Sequence, residues 1–289
     1  MRRTVSMFTL RIVENVSPVG DPTSGRVGRR VQVWRDLADS DCAYGYAGSG
    51  WWAVDWLRIG TFLFGPAFGE TVEVVPRRGV SEARIEDVYR RSVLPLVWQA
   101  RGKETLHASA VTGARGVLAF CGERGAGKST VAYGFSRRGF EQHADDTLVL
   151  TVGTDGVTTL PLPFAPRLRP ASAQFFERAP RRGSLSALET TAPETLAALF
   201  ILRPSDPPRP SAISVLAPAE AFRAVLAHAH CFDPSNPVNQ RRLLQQYLEI
   251  AAHVPIFQVI YRPGLERLDA LLDALLAAAD ESTPMSVAR

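Results

Sequence analysis

Gly122-Glu123-Arg124-Gly125-Ala126-Gly127-Lys128-Ser129 fits the pattern G-x-x-x-x-G-K-[ST] at every position, and Thr130 follows. Glycines at these spacings let the backbone turn successive N–H groups inward, making a concave nest for phosphate oxygens. The loop is entered from an apolar run over 116–121 and left through a helical stretch over 129–138 that Gly139 closes. Strand, loop and helix in that order aim the positive end of the helix at the same anion. The spacing predicts a nucleoside triphosphate site built from Gly122, Glu123, Arg124, Gly125, Ala126, Gly127, Lys128, Ser129 and Thr130. In such a loop the lysine reaches the terminal phosphates and the serine hydroxyl binds Mg²⁺, so ATP and Mg are the expected cofactors.

Upstream, 105–111 reads as a strand and 112–115 as a turn leading into the loop strand. A helix is expected from residue 81, with Ile85, Val88, Val93, Leu96 and Val97 at helical spacing and Pro95 kinking or dividing it. Residues 1–80 read as β-rich, with strands over 8–14, 31–35, 51–57, 61–64 and 71–75 between Gly and Pro punctuation. Trp52, Val54 and Trp56 fall on one face of their strand, and a packed face is favoured over an aromatic platform for a ligand.

Downstream, 147–152 and 157–162 flank Gly153-Thr154-Asp155-Gly156, a strong hairpin turn. Residues 163–193 are rich in Pro, Arg and Ser and read as a long surface segment with a short helix. Strands follow over 196–202, 212–216 and 256–261, helices over 218–230 and 238–252, and a last helix carries Leu265, Leu268, Leu271, Leu272, Leu275 and Leu276 on one stripe. The division expected is a β-rich region over 1–80, a connecting helix over 81–104, a P-loop domain over 105–280 and a frayed tail over 281–289.

Composition narrows the function classes. The 289 residues are 46% hydrophobic and 21% charged, ordinary for a soluble globular chain. No apolar run approaches the ~20 residues of a membrane helix, and no signal peptide is legible, so a cytoplasmic protein without a membrane partner is expected. The net charge is +4, yet of 33 basic residues only Lys103 and Lys128 are lysines, and the arginines recur as isolated pairs. That distribution argues against nucleic acid as a partner. Cys42, Cys121 and Cys231 form neither a disulfide framework nor a metal pair. His228-Ala229-His230-Cys231 lacks two clear ligand pairs, and His143 reads as an exposed loop residue.

The chemistry after nucleotide binding is read from what is missing and what is near. No Asn-Lys-x-Asp element speaks for guanine, and the apolar run 199–202 ends in Arg203 rather than an aspartate. Ala144-Asp145-Asp146 follows shortly after the loop helix. Two carboxylates beside a phosphate site can divide the work between Mg²⁺ and the proton of an incoming hydroxyl. By itself the pair could equally cap or solvate a turn.

The run His107-Ala108-Ser109-Ala110-Val111, then the Gly-rich loop, then Arg138-Gly139-Phe140 and Ala144-Asp145-Asp146 resembles the HPr kinase/phosphorylase family. The resemblance is strong over 105–150 and looser to about 280, and is closest to the shorter HPr-kinase-like proteins encoded with lasso peptides and related peptide natural products. Those also carry a Pro-Arg-Leu segment, here Pro166-Arg167-Leu168, and a Leu-x-Pro-x-Glu helix start, here Leu216-Ala217-Pro218-Ala219-Glu220. It implies an α/β P-loop kinase fold related to phosphoenolpyruvate carboxykinase, with a small β-rich N-terminal region. It further implies Asp145 as acid/base, His107 beside that carboxylate, Lys128 on phosphate, and Ser129 and Asp146 on the metal. Glu123-Arg124 replaces the family's Asp-Ser, and the family's downstream Gly-rich signature is not recognisable, which separates this chain from phosphorolysis and from HPr itself.

The expected activity is therefore an ATP- and Mg-dependent kinase for a serine or threonine hydroxyl of a peptide or protein, with Arg167 and Arg169 as acceptor-binding residues. Homo-oligomerisation stays open. A small-molecule hydroxyl kinase and a slowly hydrolysing nucleotide-binding regulatory module are the alternatives.

Overall fold

The computed structural model describes residues 2–5, 8–13, 28–36, 41–154, 156–162, 166–178, 192–205 and 211–281. Asp155 of the expected hairpin turn, much of the 163–193 segment and the tail beyond 281 lie outside the described residues. Contacts divide the chain into two units, 1–105 with 230–243, and 106–229 with 244–289. The helical region at 81–104 thus belongs to the first unit, as does the short return at 230–243.

The first unit holds β1 (Arg2–Val5), β2 (Phe8–Ile12), β3 (Arg29–Asp36), β4 (Asp41–Gly48), β5 (Trp51–Trp56), β6 (Gly60–Phe64) and β7 (Thr71–Pro76). They form one sheet in the order β1-β2-β7-β6-β5-β4-β3, antiparallel except where β2 meets β7. Strand β4, with Gly45 and Gly48, is absent from the sequence expectation, where Gly48 reads as punctuation. In the fold both glycines are sites of close aromatic cover. A methyl on Gly45 would come within 3.0 Å of the Trp34 ring, and one on Gly48 would collide with Trp51. In β5, Val54 and Ala53 are both buried, so both faces of that strand are covered, and Trp52 stacks on Phe232 at 4.4 Å.

The expected helix is two helices, α1 (Glu82–Val88) and α2 (Leu94–Ala100), joined by a π-helical turn over Tyr89–Val93. Pro95 lies in the first turn of α2, where its missing N–H costs nothing, and the wide turn before it makes room for the ring.

The strand expected over 105–111 breaks at His107 into β8 (Glu104–Leu106) and β9 (Ala108–Gly113). The break follows from pairing: the His107 N–H donates to His228 O at 2.9 Å, and Leu106 bridges Ala229. The second unit continues with β10 (Gly116–Gly122), α3 (Lys128–Ser136), β11 (Glu141–Ala144), β12 (Leu148–Gly153), β13 (Gly156–Leu160), α4 (Pro170–Arg178), β14 (Glu194–Pro204), β15 (Ala212–Val215), α5 (Pro218–Leu226), the part of α6 (Pro237–His253) from Leu244 onward, β16 (Ile256–Tyr261) and α7 (Leu268–Glu281).

Strands β10, β14 and β16 run parallel, while β9 is antiparallel to both β10 and β11. The start of β14 pairs with the β12–β13 hairpin, and its remainder lies between β10 and β16. Phe120, Phe200 and Phe257 sit in register across these three strands and stack at 5.8 and 5.0 Å. Phe135 of α3 stacks on Phe120 at 5.5 Å, and Gly134 lets α7 approach through Leu268 and Leu272. Arg138 at the far end of α3 binds Asp269 and Asp273 of α7. Rigid packing of this kind holds α3 in one orientation, which matters because the glycine loop leads directly into its first turn. No described helix is long and apolar enough to cross a membrane, which says nothing of a β-barrel.

Candidate active site

Topology brings the sequence candidates together. Because β10 and β11 are each antiparallel to β9, they are parallel to one another, and their C-terminal ends share an edge with the start of β9. The phosphate loop leaves β10 there, Asp145 and Asp146 follow β11 there, and His107 and Ser109 stand at the entry of β9. Carboxyl ends of parallel strands are the usual binding edge of open α/β sheets.

The loop has the backbone its glycines predict: Gly122, Gly125 and Gly127 have φ of 154, 94 and 80°. Lys128, 6% exposed, donates from Nζ to Gly122 O at 2.9 Å and Glu123 O at 3.3 Å. Burial pulls its pKa down, and the nearby Arg169 charge adds to that, while Asp146 and Asp145 act the other way. The Tyr261 hydroxyl, from the end of β16, donates to Ala126 O at 2.7 Å and pins the loop.

Beside the loop, the half-buried Ser129 hydroxyl leads to the buried hydroxyl of Ser109. The Ser129 and Ser109 Oγ atoms are 3.5 Å apart, and Ser109 donates to Asp145 Oδ1 at 2.7 Å. Asp145 Oδ2 accepts from the Arg167 backbone N–H at 3.0 Å. Burial raises the Asp145 pKa and the Asp146 charge adds to it, while these donors oppose the rise. Asp146 has φ of 65°, the one positive value at a non-glycine among the described residues. Such strain persists where the surroundings impose it, often at functional sites. His107 Nδ1 lies 3.1 Å from Asp146 O, so the histidine meets the backbone of the second aspartate rather than the carboxylate of the first. Burial and Lys128 lower the His107 pKa.

Of the expected acceptor residues, Arg167 contributes its amide to Asp145 and Arg169 lies with its guanidinium against Gly125. His143 is corrected from exposed to fully buried, its ring held between Thr112 Oγ1 at 3.0 Å and Thr159 Oγ1 at 2.7 Å. Its pKa falls to about 4 by burial. Ser109 and Tyr261 escaped the sequence reading as site residues. His228 did too; its pKa falls to about 4 through burial and then the charges of Lys128, His107 and Arg203. A signal existed for Tyr261, which ends an apolar strand, but only the sheet order shows that strand to lie near the loop.

Among the described residues no group of three or more His, Cys, Asp or Glu could hold a metal ion. Mg²⁺ beside a nucleotide does not need one, since one or two hard protein oxygens complete a shell of water and phosphate. Ser129 Oγ and the Asp145 carboxylate, linked through Ser109, are of that kind.

No protein-family model matches the chain, and comparison with curated proteins finds no relative. Among solved structures, the Hpr(Ser) kinase/phosphatase from Coxiella burnetii is similar at 13% identity and a TM-score of 0.34, over 61% of this chain and 90% of that one. A likeness of that strength decides nothing, and the site has to be read from its own residues.

Proposed function

We propose that this chain is an ATP- and Mg²⁺-dependent kinase that transfers the terminal phosphate to a serine or threonine hydroxyl of a peptide or protein. The reading rests on one observation above the others: a complete phosphate loop whose Ser129 is joined through Ser109 to the buried carboxylate of Asp145. A nucleotide sensor needs the loop but has no use for a second carboxylate beside it.

The loop amides and Lys128 would hold the phosphates, with the N-terminus of α3 adding its positive end. Ser129 and Asp145 suit Mg²⁺, which when bound neutralises charge on the phosphate oxygens. Asp146, adjoining His107 and Lys128, is then the carboxylate left to take the acceptor's proton. This exchanges the roles that the resemblance assigns to the two aspartates. Asp145→Asn should raise the Mg²⁺ concentration needed for nucleotide binding, and Asp146→Asn should stop transfer while leaving that requirement near the parent's. Titrations giving the opposite pattern would restore the resemblance's assignment.

The acceptor class follows the likeness to kinases encoded with peptide natural products. Labelled ATP incubated with the protein and a panel of serine-containing peptides, sugars and nucleosides checks it, with products identified by mass spectrometry. Phosphopeptide is the expected product, and preferential labelling of a sugar or nucleoside would overturn the acceptor class.

A further inference from the structure

The segment that carries Arg169 is tied to the phosphate site at several points. A methyl group built on Gly125 would come within 2.9 Å of Arg169 Nη2 and 3.4 Å of Nη1, so the guanidinium lies directly on the loop. Two residues earlier the Arg167 N–H holds Asp145, and three residues later Ser172 Oγ is 3.1 Å from Thr130 Oγ1 of α3. Phe176, one turn further along α4, meets Tyr133 of α3 edge-on at 4.7 Å. The Ala173 N–H donates to Arg169 O at 2.9 Å, which seats Arg169 immediately ahead of α4. These contacts fix the base of the side chain to the same helix that begins in the loop.

The charges add a second argument. Arg169 lies against Gly125 while Lys128 Nζ donates to Gly122 O and Glu123 O, so two like charges are gathered on one glycine loop. Such a pair repels, and the arrangement becomes favourable when a polyanion lies between the two.

We infer that Arg169 is the in-chain cation that contacts the transferring phosphoryl group, rather than a residue for the acceptor. This rests on the kinase reading above and assigns one residue within it. In the step, the acceptor oxygen forms a new bond to the terminal phosphorus. The bond from that phosphorus to the bridging oxygen breaks, and its electron pair leaves with ADP. The hydroxyl proton passes to a site carboxylate and on to solvent, and ATP supplies everything that is transferred. Arg169 donates two N–H bonds from its planar fork to the phosphoryl oxygens, whose charge is spread at the transition state.

Calorimetry of MgADP, with and without aluminium fluoride, separates the two possible failures. The parent should bind MgADP and gain affinity when fluoride completes a planar phosphoryl mimic. Arg169→Ala should hold MgADP within about threefold of the parent, lose most of that gain, and turn over ATP about 10²–10³-fold more slowly. Arg169→Lys should recover part of the gain. A variant that keeps the full gain overturns the role of Arg169 alone, as does one losing MgADP affinity to the same degree. A parent that binds no MgADP overturns the nucleotide reading, and one that binds it with no fluoride gain overturns transfer and this inference with it.

Discussion

Among the described residues, buried polar atoms without a hydrogen-bond partner fall mostly in the first unit, although Gln99 and Thr105 there are bonded. In the second, Ser109, Asp145, His143 and Thr159 are almost inaccessible, and each is hydrogen-bonded to another. Thr147, whose hydroxyl lacks a hydrogen-bond partner among the described residues, departs from that pattern. In the first unit, Glu104 is fully buried with neither oxygen hydrogen-bonded among the described residues, although Arg242 Nε stands 3.4 Å away. Tyr89 Oη and Trp98 Nε1 are buried without hydrogen-bond partners among the described residues as well. A connected network fixes atoms in place, whereas a half-satisfied group costs stability and positions nothing. The bonded pair of Ser109 and Asp145 lies in the unit that holds the proposed chemistry.

The largest expected effect is on the connected side. Lys128→Ala should lower ATP turnover by about 10²–10³-fold with little change in melting temperature, because it removes the cation that the proposed function sets on the phosphates. Steady-state rates beside a melting curve test it, and parent-like turnover would break the assignment of the loop.

Acid should then push the two units apart. Glu104 has its pKa raised to about 7 by burial, against the opposing charge of Arg242. Between its ordinary range and that value the folded form binds more protons than the unfolded one, so acidification from pH 8 to 5 strengthens the first unit. His143, with its pKa lowered to about 4, does the reverse. Below its ordinary value near 6.5 the unfolded form binds more protons, so the second unit weakens over the same descent. Each contribution is at most roughly 3 kcal/mol, a pKa unit being about 1.4 kcal/mol. Amide hydrogen exchange resolved by unit should show protection moving in opposite directions, and parallel movement would dissolve the contrast.

Ser109→Ala should be smaller again, leaving one Asp145 oxygen without its donor at a cost of about 1–3 kcal/mol. Turnover should fall about tenfold, and a stability loss without any change in rate would make Ser109 purely structural. Smallest of all, Glu104→Gln should leave activity untouched and flatten the gain of the first unit on acidification, because no charge remains to be neutralised there.

Local signals were legible and distant ones were not. Strand β16 occupies the span its apolar run predicts, β12 and β13 pair antiparallel out to Gly153 and Gly156, and the glycine loop sits between its strand and helix. Each of those is written in neighbouring residues. Strand β4 was lost because the rings covering its glycines come from other strands. His143 was misjudged because Thr112 and Thr159, which satisfy its ring, lie 31 and 16 residues away. Asp145 and Asp146 could be singled out from their spacing, but their surroundings depend on β9 and α4, which composition cannot bring together.

One contact sets what mutation can and cannot alter. Asp145 is held from one side by the Arg167 amide, a group that every residue but proline carries. Chemical identity at 167 is thus uncoupled from the geometry of the carboxylate. The aspartate's seat would survive exchange of that exposed arginine for any residue that keeps the amide, whatever else the side chain does. Proline is the one letter that removes the donor, so Arg167→Pro should disturb Asp145 where Arg167→Ala leaves it in place.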